Sequence, residues 1–210
     1  MKIKICGITN IDDAHLCSNL GADAIGFIFY KKSKRYIEPQ KASEIIKQLP
    51  PFIIKVGVFV NENPQTINEI SKEAKLNLVQ LHGEETQKDI DIINLPVVKA
   101  LRVDNNFNYS TLNNYKNCSF LLDSFDEKEY GGTGKKFMWQ NIPEEIKTKI
   151  VLAGGIVQKD LEYIFNKIKP YAIDVSSSLE VYPGKKDEQK VIGFFNEFKR
   201  RVLNEQNTKL

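Results

Sequence analysis

The chain has 210 residues, of which 41% are apolar and 27% charged, and its formal net charge is +3. That length suits one domain, residues 1–210, with a full hydrophobic core, and the composition excludes a disordered or collagen-like chain. The small basic excess gives little footprint for nucleic acid, and no apolar run is long enough to cross a bilayer or serve as a signal-peptide core. The expectation is therefore a cytoplasmic protein that acts on a small molecule, with no nucleic-acid or membrane partner.

Ile3 and Ile5 alternate with Lys2 and Lys4 and then stop at Cys6-Gly7, which predicts a short first strand that delivers a thiol to its carboxyl end. Ile11 to Leu20 has helical spacing, with Thr9 or Asn10 as cap, Asp12 and Asp13 in the first turn and Gly21 as terminator. A second strand is expected over Ala24 to Phe29. A loop follows with the basic run from Lys31 to Arg35, and Pro39 opens a helix that extends to Leu49. Ile53 to Val60 is β-branched almost throughout, the pattern of a strand covered on both faces.

The same alternation continues. Helix is expected over Ile67 to Ala74, strand over Leu76 to Leu81, helix over Glu84 to Ile93 and strand over Val97 to Leu101. Arg102 to Lys116 is poorly patterned, with helix expected only near Tyr109 to Tyr115. Strands at Ser119 to Leu122, Ile150 to Ala153 and Tyr171 to Val175 complete the series. Between them lie a glycine loop at Tyr130 to Lys135, an irregular connection from Trp139 to Lys149 and a helix over Asp160 to Ile168. A last helix runs from Asp187 to about Leu203, with Val191, Ile192, Phe194, Phe195 and Phe198 on one face. Eight strands alternating with helices predict an α/β fold, a closed (βα)8 TIM barrel with thin loops; an open parallel sheet is the alternative.

In such a barrel the active site lies at the carboxyl ends of the strands. Cys6, Arg35, His82, Arg102, Asp123, Gly154-Gly155 and Asp174 with Ser176 and Ser177 all fall just after proposed strands. Cys6 reads either as a small buried hydrophobe or as a base whose pKa is lowered by backbone N–H groups and nearby cations. Asp123 is a loop cap, a partner for Lys135 or, if partly desolvated, a proton donor to a leaving oxygen, with Asp126 a weaker candidate. Gly154-Gly155 and Ser176-Ser177, after the seventh and eighth strands, suit a phosphate. Gly131 to Lys135 lacks the spacing of a nucleotide triphosphate loop. Arg35 can fork onto a carboxylate or belong to a solvated charge run, and His82 can line the mouth or cap its own loop. His15 and Cys17 fall inside the first helix and read as structural.

Cys6, Cys17 and Cys118 are odd in number and widely spaced, and His15 and His82 are the only histidines. Neither a disulfide framework nor a zinc site is expected, and no spacing suggests another metal or an acyl-transfer triad.

Several stretches together resemble the phosphoribosylanthranilate isomerase family. They include Lys4-Ile5-Cys6-Gly7-Ile8-Thr9, Gly21-Ala22-Asp23-Ala24-Ile25-Gly26-Phe27, Ser33-Lys34-Arg35-Tyr36-Ile37, Gln80-Leu81-His82-Gly83-Glu84, Leu121-Leu122-Asp123, Ala153-Gly154-Gly155 and Asp174-Val175-Ser176-Ser177 with Glu180 and Pro183 to Asp187. The resemblance implies a barrel that converts N-(5-phosphoribosyl)anthranilate into 1-(2-carboxyphenylamino)-1-deoxyribulose 5-phosphate in tryptophan biosynthesis, without a cofactor. It places the general base on Cys6, the general acid on Asp123, the substrate carboxylate contact on Arg35 and the phosphate grip on Gly154, Gly155 and Asp174 to Ser177. Ser178 departs from the glycine usual in the family and is expected to narrow or reshape the phosphate loop. A different sugar-phosphate barrel enzyme and a non-catalytic binding module are the alternatives, and either a monomer or a homodimer is compatible with the chain.

Overall fold

The computed structural model describes residues 1–124 and 137–207. Eight parallel strands pair in sequence order and β1 closes on β8, so the sheet is a barrel and the open-sheet alternative is excluded. The strands are β1 (Lys2–Ile5), β2 (Ala24–Ile28), β3 (Ile54–Phe59), β4 (Leu78–Leu81), β5 (Val97–Val103), β6 (Cys118–Ser124), β7 (Ile150–Leu152) and β8 (Ala172–Val175). Closure buries both faces of each strand, which explains the near-continuous apolar runs of β2, β3 and β6.

Helices α1 (Ile11–Asn19) and α2 (Pro39–Ile46) begin where the sequence signals put them, and α3 (Pro64–Ala74) begins one turn before the expected Ile67. Asn10 caps α1 by accepting the Asp13 N–H, Asn63 caps α3, and prolines open α2 and α3. The later connections are thinner. α4 is only Gln87–Ile90, because Glu84 and Glu85 point elsewhere and the Thr86–Asp89 capping box starts the helix after them. A 3-10 turn over Tyr109–Asn114 replaces the fifth helix. After β6 come a 3-10 turn at Trp139–Asn141 and α5 (Glu144–Lys147). The segment between β7 and β8 winds from 3-10 through α6 (Leu161–Tyr163) into a π turn at Ile164–Ile168.

The closing helix α7 (Glu188–Asn207) buries Val191, Phe194, Phe195 and Phe198, and Phe198 meets Phe165 edge-on at 5.4 Å between ring centres. Each such aromatic contributes about 1.5–3 kcal/mol of burial. A feature absent from the sequence expectations follows β8: a hairpin of β9 (Glu180–Tyr182) and β10 (Lys185–Lys186) around Pro183-Gly184. It carries two buried charges toward the carboxyl end of β1, where the candidate site begins. The glycine loop at 130–135, together with Asp126, lies outside the described residues.

Candidate active site

A pocket opens at the carboxyl ends of the strands. Cys6, Arg35, His82, Asp123, Gly154, Gly155, Asp174, Ser176 and Ser177 all line it. Arg102 does not line it; that side chain lies within β5 and pairs with Glu84. Among the described residues no group of three or more His, Cys, Asp or Glu side chains is arranged to hold a metal ion.

Cys6 follows β1 and is buried. A Cβ on Gly26 of β2 would lie 2.8 Å from the Cys6 sulphur and 3.1 Å from Lys4 Cε, so the missing side chain makes room for both. Burial pushes the thiol above its ordinary range, against the lowering effect of Lys4 and Lys186 and with a raising contribution from Asp174. The expectation of a lowered thiol pKa is thus reversed, because desolvation of the thiolate outweighs the neighbouring cations. Cys17, inside α1 and fully buried, is pushed up to about 12 by burial and is structural, as its helical position suggested.

Asp123 ends the buried run of β6 and accepts the Ser124 N–H at 2.8 Å through Oδ1. His82, just past β4, places Nε2 3.2 Å from Asp123 Oδ2, within ion-pair range but without the alignment of a hydrogen bond. Gln80 donates its amide to His82 Nδ1 at 2.8 Å. His82 therefore lines the mouth. Lys135, the other partner considered for Asp123, lies outside the described residues.

The turn after β7 has Gly154 at φ +90° and Gly155 at φ +60°. A Cβ at Gly154 would lie 2.8 Å from the Ser124 nitrogen and 3.0 Å from Asp123 Oδ1, so glycine lets this turn close over the acid. Opposite it, Ser176 donates to the Cys6 carbonyl at 3.0 Å and Ser178 donates to the Ile156 carbonyl at 2.6 Å. Ser178 has a negative φ, so its side chain adds a tie between the two loops without backbone strain. Glycine turns and hydroxyls on adjacent loops form a setting that can receive a phosphate.

Arg35 makes the predicted fork, and the carboxylate it grips is Glu180 of β9, at 2.9 and 3.0 Å from Nε and 2.7 Å from Nη2. Lys186 of β10, fully buried, reaches the same carboxylate at 3.0 Å and donates to the Cys6 carbonyl at 2.8 Å. Burial raises the Glu180 carboxyl, but Arg35 and Lys186 together outweigh it and hold the group below the usual range. Gly7, at φ +76°, leaves space for Arg35 Cδ, which would lie 2.7 Å from a Cβ there. Glu180, Lys186 and Gln80 are the site residues that sequence reasoning missed. For Gln80 the signal available was a polar residue inside a buried strand; Glu180 and Lys186 stood in the stretch that resembles the family, without a role assigned to them.

A family model for N-(5'phosphoribosyl)anthranilate (PRA) isomerase matches residues 3–197. An N-(5'-phosphoribosyl)anthranilate isomerase of Trichlorobacter lovleyi is 45% identical over 205 residues, which cover 96% of this chain and 100% of the relative. The crystal structure of phosphoribosyl anthranilate isomerase from Thermotoga maritima superposes with a TM-score of 0.88 at 40% identity, covering 95% of this chain and 99% of that one. A structure of such an isomerase in complex with reduced 1-(o-carboxyphenylamino)-1-deoxyribulose 5-phosphate aligns with a TM-score of 0.84, also at 40% identity and with the same coverage.

Proposed function

The chain belongs to the N-(5'-phosphoribosyl)anthranilate isomerase family, and from that premise we propose how its pocket carries out the family's reaction. The chain is an isomerase of tryptophan biosynthesis that rearranges N-(5'-phosphoribosyl)anthranilate to 1-(2-carboxyphenylamino)-1-deoxyribulose 5-phosphate. In the proposed mechanism Asp123 is the general acid and Cys6 the general base.

Opening the aminofuranose ring needs a proton on the ring oxygen as its bond to C1 breaks, and protonated Asp123 supplies it. The electron pair on nitrogen completes the iminium, which acidifies the C2 hydrogen. The Cys6 thiolate removes that hydrogen, and the electrons flow onto nitrogen to give an enolamine that becomes the ketone. The substrate's own nitrogen is the electron sink, so the proposal needs neither cofactor nor metal. The loops at Gly154-Gly155 and Asp174 to Ser177 receive the phosphate and Arg35 the anthranilate carboxylate, while His82 faces Asp123 at the mouth.

One observation carries this reading: an acid, a base and two loops suited to phosphate share one pocket at the carboxyl end of the barrel. The proposal also includes a cytoplasmic location and one domain, either as a monomer or as a homodimer. Cys6→Ser and Asp123→Asn should each lower kcat about 10²-fold or more with the fold intact. Near-normal turnover in either variant removes that residue from its role.

A further inference from the structure

Lys4 belongs to no step of that mechanism, yet it is buried in the barrel beside the base. It stands two residues before Cys6 on β1, on the same face of the strand, and pairs in register with Asp174 of β8. Its ammonium donates to Asp174 Oδ2 at 2.7 Å, and both side chains are less than a tenth exposed. The other oxygen, Oδ1, is buried and has no hydrogen-bond partner among the described residues. Lys4 and Cys6 both pack over Gly26, where a Cβ would lie 2.8 Å from the sulphur and 3.1 Å from Lys4 Cε. A buried ammonium is costly unless it has an anion, and here it lies between a carboxylate and a thiol.

We propose that Lys4 is a positioning residue whose ammonium is the counter-ion of the Cys6 thiolate, shared between that sulphur and the Asp174 carboxylate. This rests on the reading of Cys6 as the base. Lys4 keeps its proton throughout: the thiolate takes the C2 hydrogen, becomes a neutral thiol, and the ammonium then faces Asp174 alone.

The other charges around the thiol are differently committed. Lys186 spends its donors on Glu180 and on the Cys6 and Ser176 carbonyls. Arg35 is gripped by Glu180, and Asp123 faces His82 across the pocket. Burial lowers the Lys4 pKa, but Asp174 and Cys6 more than restore it and hold the ammonium charged. Asp174 competes for that charge and raises the thiol. Removing Lys4 and removing Asp174 should therefore shift Cys6 in opposite directions.

The test is alkylation of Cys6 by iodoacetamide across a pH series, read by peptide mass spectrometry, with kcat/KM followed over the same range. Lys4→Gln keeps a donor to Asp174 without the charge. It should move the alkylation midpoint up by about one unit or more, a tenfold loss of thiolate at neutral pH, and lower kcat/KM at neutral pH about tenfold with it. Lys4→Arg should restore both, Asp174→Asn should move the midpoint down, and Cys118 should not respond. An unchanged midpoint in folded Lys4→Gln overturns the proposal, and so does an unchanged or raised midpoint in Asp174→Asn, which decides the matter if Lys4→Gln does not fold. Failure of the catalytic reading would look different: the midpoints would still respond to Lys4 while Cys6→Ser turned over normally.

Discussion

Replacing Glu180 with glutamine removes the one negative charge set between two buried cations. The carboxylate side chain is 4% exposed, Arg35 10% and Lys186 0%, so water cannot compensate for the loss. Breaking a buried ion pair by removing one partner costs about 3–5 kcal/mol. The amide still offers one oxygen, so the lower figure, about 3 kcal/mol, is expected. For a chain of this size that corresponds to a fall in Tm of about 6–12 °C. Because the Glu180 carboxyl is held below its ordinary range, its contribution is fully present above the unfolded-state value and is lost as pH falls through the folded-state value. Thermal unfolding followed by circular dichroism should show a large gap between wild type and Glu180→Gln at pH 7 that closes only once the pH falls below the usual carboxylate range. KM should rise as well, since Arg35 loses the clamp that orients it. A gap under about 0.5 kcal/mol at neutral pH, or one that persists undiminished in acid, would refute the assignment of Glu180 as the anchor of this cluster.

Gly154→Ala should lower kcat about tenfold or more in a steady-state assay while leaving far-ultraviolet circular dichroism intact, since a Cβ there has a φ of +90° to tolerate and meets Ser124 and Asp123; unchanged kcat would mean that the turn does not hold the acid. Burial raises the Cys6 thiol, so the thiolate fraction grows with pH through neutrality and the rate of Cys6 alkylation by iodoacetamide should still be climbing at about pH 8; an alkylation rate that levels off by pH 6.5 contradicts a thiol raised by burial. Lys99→Met should cost about 3–5 kcal/mol in chemical denaturation, because Lys99 and Glu85 form a fully buried pair that fastens the loop carrying His82; a loss under 1 kcal/mol would show that Glu85 is satisfied by its backbone donors alone.

The barrel was legible because a closed parallel sheet imposes apolar runs buried on both faces, and eight of them, such as Val56 to Val60 or Phe120 to Leu122, alternate with helix signals along the chain. The site residues were legible because chemistry in this architecture gathers at strand ends. What was not legible depended on partners far away in sequence. The alternation of Lys2 and Lys4 with isoleucines looks like a half-exposed strand, yet Lys4 is 7% exposed because closure turns that face inward, where Asp174 neutralises it. The hairpin at Glu180 to Lys186 has too few residues for a periodic signal. It is held by Asp13, which accepts from the Lys186 N–H and the Lys185 ammonium, and by Arg35. The expected helix from Glu84 shrank to a single turn because Glu85 is drawn under the loop by Lys99. Between the two readings of Arg35, a carboxylate fork and a solvated charge, the sequence could not choose, because the carboxylate it grips lies 145 residues away in Glu180.

The account stands most directly on the loss of anthranilate-type fluorescence from freshly generated N-(5'-phosphoribosyl)anthranilate, measured with wild type and Cys6→Ala side by side. Decay well above the spontaneous background with wild type, no release of free anthranilate, and background decay with the folded variant is the predicted result. Equal decay with and without the thiol would contradict Cys6 as the base.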